Sequence, residues 1–218
     1  MRPDGRFRVR LPVTGPRRWW APPLAGVAIG GLLLLSACAS TTTEVRYFRV
    51  AVPPPAPSAA AALPVTLGIA RLAAPEPYRE ERIIYRASPY RVQYYAGDRW
   101  ESPPAEMVGQ VLLEQFAGSG LFRRVIPWRR GEADYRLEAR LRRFEELDEG
   151  DGWFGLVELE YEVADGGGRS LLREVSRQRV RAETRTVEGV VEALSRGLQA
   201  SLGEAVTKTA AALRDARP

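Results

Sequence analysis

The sequence predicts one α+β domain, a mostly antiparallel β-sheet with two helices packed on one face. Three observations carry that expectation. Three runs between Asp134 and Ala182 carry the apolar–polar alternation of paired strands, the last of them more polar. Two longer stretches, after Ser102 and after Val187, repeat apolar residues at helical spacing. No linker and no internal repeat divides Val65 to Leu213.

The elements follow in order. Glu44 to Val52 has strand-like content with apolar residues on both faces. Pro53 to Pro64 is a Pro/Ala-rich loop, because proline and alanine runs offer a sheet no alternating face. Val65 to Leu72 is a second strand, followed by a turn with Pro75 and Pro77. Arg82 to Arg86 and Tyr90 to Tyr95 read as two short strands, and Ala96-Gly97-Asp98 as a turn. Ser102 is placed to cap the first helix, with Pro103 at its first position. Val108, Val111, Leu112 and Phe116 form its stripe, and Gly118-Ser119-Gly120 ends it.

Leu121 to Ile126 is a short buried segment. From Asp134, Tyr135, Leu137, Ala139 and Leu141 face one way and Arg136, Glu138, Arg140 and Arg142 the other. Phe144 breaks that phase, as a bulge or a strand end does. Glu145 to Gly152 reads as an acidic turn, Trp153 to Val163 as the next strand, and Ser170 to Ala182 as the last, after the turn at Ala164 to Gly168. Val187 to Leu213 is the second helix, its stripe running from Val187 and Val190 to Val206 and Thr209.

The segment before this domain explains the charge of the chain. The 218 residues carry 32 basic and 27 acidic groups, a net charge of +5. Six of the basic groups, Arg2 to Arg18, and one acid, Asp4, lie between Met1 and Ala37. Residues 38–218 are therefore formally neutral and lack the overall positive field of a phosphate-backbone binder, so nucleic acid is not an expected partner.

Met1 to Ala37 reads as an export signal: a basic stretch, then an apolar run strongest at Leu24 to Leu35. An uncleaved membrane span is the alternative. Leu35-Ser36-Ala37-Cys38 resembles a lipobox, in which the cysteine is acylated and becomes the first mature residue. Acyl chains anchor a protein by about 0.8 kcal/mol per buried methylene. Residues 38–43 would then be a lipidated tether, and 44–214 the folded domain. Ala39 is not the aspartate of an inner-membrane retention signal, which favours the outer membrane with the domain facing the periplasm. Cys38 is the sole cysteine, so the domain folds without disulfides.

Two groups of side chains are candidates for partner or lipid contact. Tyr85, Arg86, Tyr94, Tyr95 and Trp100 belong to a segment dense in aromatic residues; the alternative is that they pack the sheet. Arg123, Arg124 and Trp128 form a basic-aromatic stretch that suits anionic head groups, or an ordinary surface loop. Catalysis has little support. The chain contains no histidine, which excludes histidine-dependent triads and the usual zinc sites. Gly166-Gly167-Gly168 is followed by no Lys-Ser/Thr pair, and the Glu145 to Asp151 acids are out of register for a calcium loop. No metal and no cofactor is expected.

Several segments in order carry a family resemblance: Tyr47-Phe48-Arg49-Val50, Val65 to Tyr78, Ile84-Tyr85-Arg86, Tyr90 to Tyr95, Arg99-Trp100 before Pro103-Pro104, Leu121 to Val125, and Val190 to Ser195. Together with the lipobox they resemble the ABC-type transport auxiliary lipoprotein family, the PqiC-like lipoproteins of MCE-linked lipid transport systems. The resemblance implies a non-enzymatic envelope protein that docks a periplasmic MCE-domain protein at the outer membrane. An inner-membrane permease and ATPase would complete the system, and phospholipid or another hydrophobic molecule would be the cargo. A homo-oligomer stays open. The alternative function is a structural or assembly lipoprotein of the outer membrane unrelated to lipid transport.

Overall fold

The computed structural model describes residues 44–216. The export signal and the lipobox, Leu35, Ser36, Ala37 and Cys38, lie outside the described residues. Along the chain come β1 (Arg46–Phe48), β2 (Leu63–Ile69), a 3-10 turn (Glu76–Tyr78), β3 (Arg82–Ser88), β4 (Arg91–Trp100) and helix α1 (Pro104–Gly118). Then follow β5 (Phe122–Pro127), β6 (Tyr135–Glu149), β7 (Gly152–Asp165), β8 (Ser170–Arg181) and helix α2 (Val187–Asp215).

The long strand β6 organises the sheet. One of its edges pairs antiparallel with β7 from Tyr135–Asp165 to Glu149–Gly152, and β7 pairs antiparallel with β8. This is the expected meander. The other edge of β6 is shared. β2 runs parallel to its beginning, from Leu67–Tyr135 to Ile69–Leu137, and β3 runs parallel to its end, at Tyr85–Glu146 and Arg86–Leu147. Outside β2 lies β5, and outside β3 lie β4 and then β1. The long ladders are antiparallel, and the parallel pairings are short and joined through longer connections.

Helix α2 covers β7 and β8, and α1 lies against β5 and touches α2. Every residue of the predicted α2 stripe is buried, from Val187 to Thr209. Thr186 caps this helix by accepting from the Gly189 backbone N–H at 3.1 Å. The approach of α2 to β7 requires glycine at position 155, where a Cβ would sit 2.7 Å from the Leu194 nitrogen. Val157, Leu159, Tyr161 and Val163 line this face of β7 and are buried. On the open face, Glu158, Glu160 and Glu162 are met by Arg177, Arg142 and Arg173.

Four local expectations give way. The cap of α1 is Pro103, without a side-chain hydrogen bond, so Ser102 does not cap it. Ala96-Gly97-Asp98 is no turn but part of β4. The pairs Ile84–Tyr94 and Arg82–Arg99 lie two residues apart on β3 and five apart on β4, so the extra residues are absorbed as a bulge. The acidic segment is not a turn either: β6 runs on through Glu145 and Glu146 to Glu149, with its bulge between Leu141 and Arg143. Finally, the first strand shortens to three residues. The Pro/Ala-rich loop after it is laid against the end of α1, with Gln115 Nε2 donating to the Pro53 carbonyl at 2.8 Å and the Ser58 amide to that of Ser119 at 2.9 Å. Leu63 and Pro64 already belong to β2.

Candidate functional site

The first candidate group gathers where β3 and β4 meet the end of β6. Glu145 and Glu146 are consecutive on β6 and project to opposite faces, yet each is only 1% exposed. Each face is therefore roofed. Over Glu145 lie the 3-10 turn and β3: the Tyr78 hydroxyl donates to Oε2 at 2.8 Å, and Arg86 Nε donates to Oε1 at 2.9 Å. Arg143 Nε adds a third donor at 2.7 Å. Two guanidiniums and a phenol thus satisfy one buried carboxylate, the condition under which such a charge is tolerated.

Glu146 is less well served. Tyr95 donates to its Oε2 at 2.7 Å, while Oε1 has no hydrogen-bond partner. Burial pushes the Glu146 carboxyl up to about 7. The Tyr95 hydrogen bond pulls the other way, and the nearby charge of Asp148 adds to the rise. Burial first, and then the adjoining glutamate, also raise the Tyr78 and Tyr95 hydroxyls above the ordinary phenol range.

The sequence-predicted residues divide between two places. Tyr85 stacks obliquely on Tyr95, ring centroids 4.9 Å apart, and Arg86 is the Glu145 partner. Tyr94 lies under the Arg82 guanidinium at 3.8 Å. Trp100 is 1% exposed and packs on Phe144 at 5.5 Å, inside the core. Arg123, Arg124 and Trp128 belong to the other group, at the outer edge formed by β5. Both arginines are exposed. Trp128 covers Gly68 and stacks under the Arg136 guanidinium at 5.3 Å.

Sequence reasoning missed Glu145, Glu146 and Tyr78. The one signal for them was the phase break at Phe144, which placed the bulge region but not the continuation of the strand. Among the described residues no three Cys, Asp or Glu side chains form a metal-holding group. No helix among them is long and apolar enough to cross a membrane.

The polar groups of the junction tie β3, β4 and the 3-10 turn to the end of β6, with Glu146 Oε1 left without a partner. The description of an ABC-type transport auxiliary lipoprotein component matches residues 48–206. The chain belongs to that family, described as an auxiliary component of ABC-type transport. The crystal structure of protein XCC0632 from Xanthomonas campestris is similar in fold, with a TM-score of 0.71 at 21% identity, covering 78% of this chain and 98% of that one. A second crystal structure, of an uncharacterized protein, gives a TM-score of 0.63 at 13% identity and covers 76% and 99% of the two chains. No curated protein matches the chain.

Proposed function

We propose that this protein is a lipid-anchored accessory subunit of an MCE/ABC-type transporter of lipid or another hydrophobic compound. It docks the periplasmic MCE-domain protein at the outer membrane. The observation that carries the reading is the family match over residues 48–206, set behind a lipobox whose cysteine lies six residues before the described fold begins at Glu44. Cys38 holds the acyl chains, residues 39–43 serve as the tether, and the domain presents its surface to the partner. Arg123, Arg124 and Trp128 are the proposed partner contact, because they stand exposed or half-exposed on the outer β5 edge, at the opposite end of the strand order from β1.

Gentle detergent extraction of the full-length protein, followed by crosslinking and mass spectrometry, tests this. An MCE-domain protein is the expected partner. A β-barrel protein recovered in its place would overturn the transport reading in favour of an assembly role. Cys38→Ser should abolish acylation and move the protein out of the membrane fraction; retained acyl label would remove the anchor assignment.

A further inference from the structure

The direction of β1 shows from which end of the sheet the chain enters the domain. β1 pairs parallel to β4, from Arg46–Asp98 to Phe48–Trp100. The chain therefore enters β1 from the end of the sheet where β3 turns into β4, marked by the Ser88–Arg91 pair. Glu44 lies six positions after Cys38, a reach of about 20 Å fully extended.

Two large apolar side chains, Tyr90 and Val92, are exposed at that end. Val45 and Tyr47 are exposed as well, but Tyr47 lies level with Arg99 at the other end of β4. Tyr90 is 95% exposed at the hairpin tip, next to exposed Pro89 and Arg91. Among the described residues Arg91 has no ion-pair partner. The acids nearby are largely neutralised: Glu149 is held by Arg179 and Asp151 by Arg181, while Asp148 is half-buried.

We propose that the hairpin tip Pro89-Tyr90-Arg91-Val92 rests in the interfacial layer of the bilayer that carries the Cys38 anchor, and so sets the orientation of the domain. This rests on the anchor reading above. A tyrosine ring with a polar tip is at home at head-group level, and an unpaired arginine meets lipid phosphate. One tyrosine and one arginine would bind a membrane weakly alone. Behind an acyl anchor with a reach of about 20 Å the contact is effectively intramolecular, so a weak preference suffices to select an orientation. The Arg123, Arg124 and Trp128 group lies level with the start of β6 and the hairpin level with its end. A 15-residue strand separates these levels by about 45 Å, leaving that group facing away from the bilayer.

The test uses full-length acylated protein in vesicles of phosphatidylethanolamine and phosphatidylglycerol. Acylation occupies the native thiol, so Tyr90→Cys and Glu132→Cys each offer one site for an environment-sensitive fluorophore. The expected result is a blue shift and strong quenching by head-group nitroxide lipid at position 90, with neither at 132. Equal, water-like signals at both sites in protein whose Cys38 carries acyl chains would overturn this proposal and leave the anchor standing. Protein without acyl chains would overturn both. A blue shift at position 90 that grows with protein concentration in detergent, without bilayer, would reassign the tip to a contact between copies.

Discussion

The two halves of β6 obey different rules. From Tyr135 to Leu141 the strand has one covered face, with Leu137, Ala139 and Leu141 buried and the intervening charges on the open side. Beyond the bulge, Glu145 and Glu146 are buried on both sides at once. The first half buries apolar area; in the second, Glu145 is offset by paired charge and Glu146 by one phenol donor. Alternation along a strand reports burial only while one face remains open to water.

The largest expected effect lies in the second half. Glu145→Ala leaves Arg86 and Arg143 without their shared carboxylate and should cost about 3–5 kcal/mol. The shift of the guanidinium unfolding midpoint measures it; a loss no larger than that of a surface residue would mean the arginines rehydrate freely. In the first half, Leu137→Ala should cost about 2–5 kcal/mol through lost apolar burial and a residual cavity. Its effect should vary little with pH, which is where the two halves part.

The legible part of the molecule was the part built like its first half. The meander and the α2 stripe follow from periodicity, because helices cover one face of the sheet and leave the other to water, and the end of α1 follows from Gly118-Ser119-Gly120. The junction was hidden for the opposite reason. Two adjacent glutamates before Leu147-Asp148-Glu149 look solvated, and beside Arg143 two positions away their burial depends on the Tyr78, Arg86 and Tyr95 partners, brought from 51 to 67 positions away. Long-range pairing of that kind has no local signature. The bulge in β4 resembles a turn in sequence because Ala96-Gly97-Asp98 has turn composition. Of the candidate side chains, Tyr85, Arg86 and Tyr95 do converge, whereas Trp100 is core.

Glu146 sharpens the contrast at smaller scale. Its carboxyl titrates at about 7 in the folded state against 4.5 ordinarily. Between those values the folded state holds a proton that the unfolded chain has released, so this group makes stability fall as pH rises from about 4.5 to about 7. Glu146→Gln cannot ionise. Its stability relative to wild type should climb across that window and level off above it, as followed by urea melts at a series of pH values. A constant difference would mean that Glu146 is hydrated. The smallest effect belongs to Glu138→Ala in the first half, where the Arg136 pair faces solvent; a change within about 0.5 kcal/mol is expected from the same melts.

The three residues of β1 also decide how the domain would bear a pull. Force applied through the chain before Glu44 runs along the axis of β1, against its parallel partner β4. The β1–β4 hydrogen bonds and the Arg46–Asp98 bridge at 2.7 Å are then loaded together in shear, not opened one after another. Behind them Val50 is wedged in the core, with its amide on Met107 Sδ, and the Ala51 amide is held by Ser195 Oγ at 3.1 Å. A strand too short to stabilise much at rest thus sits where it resists traction best.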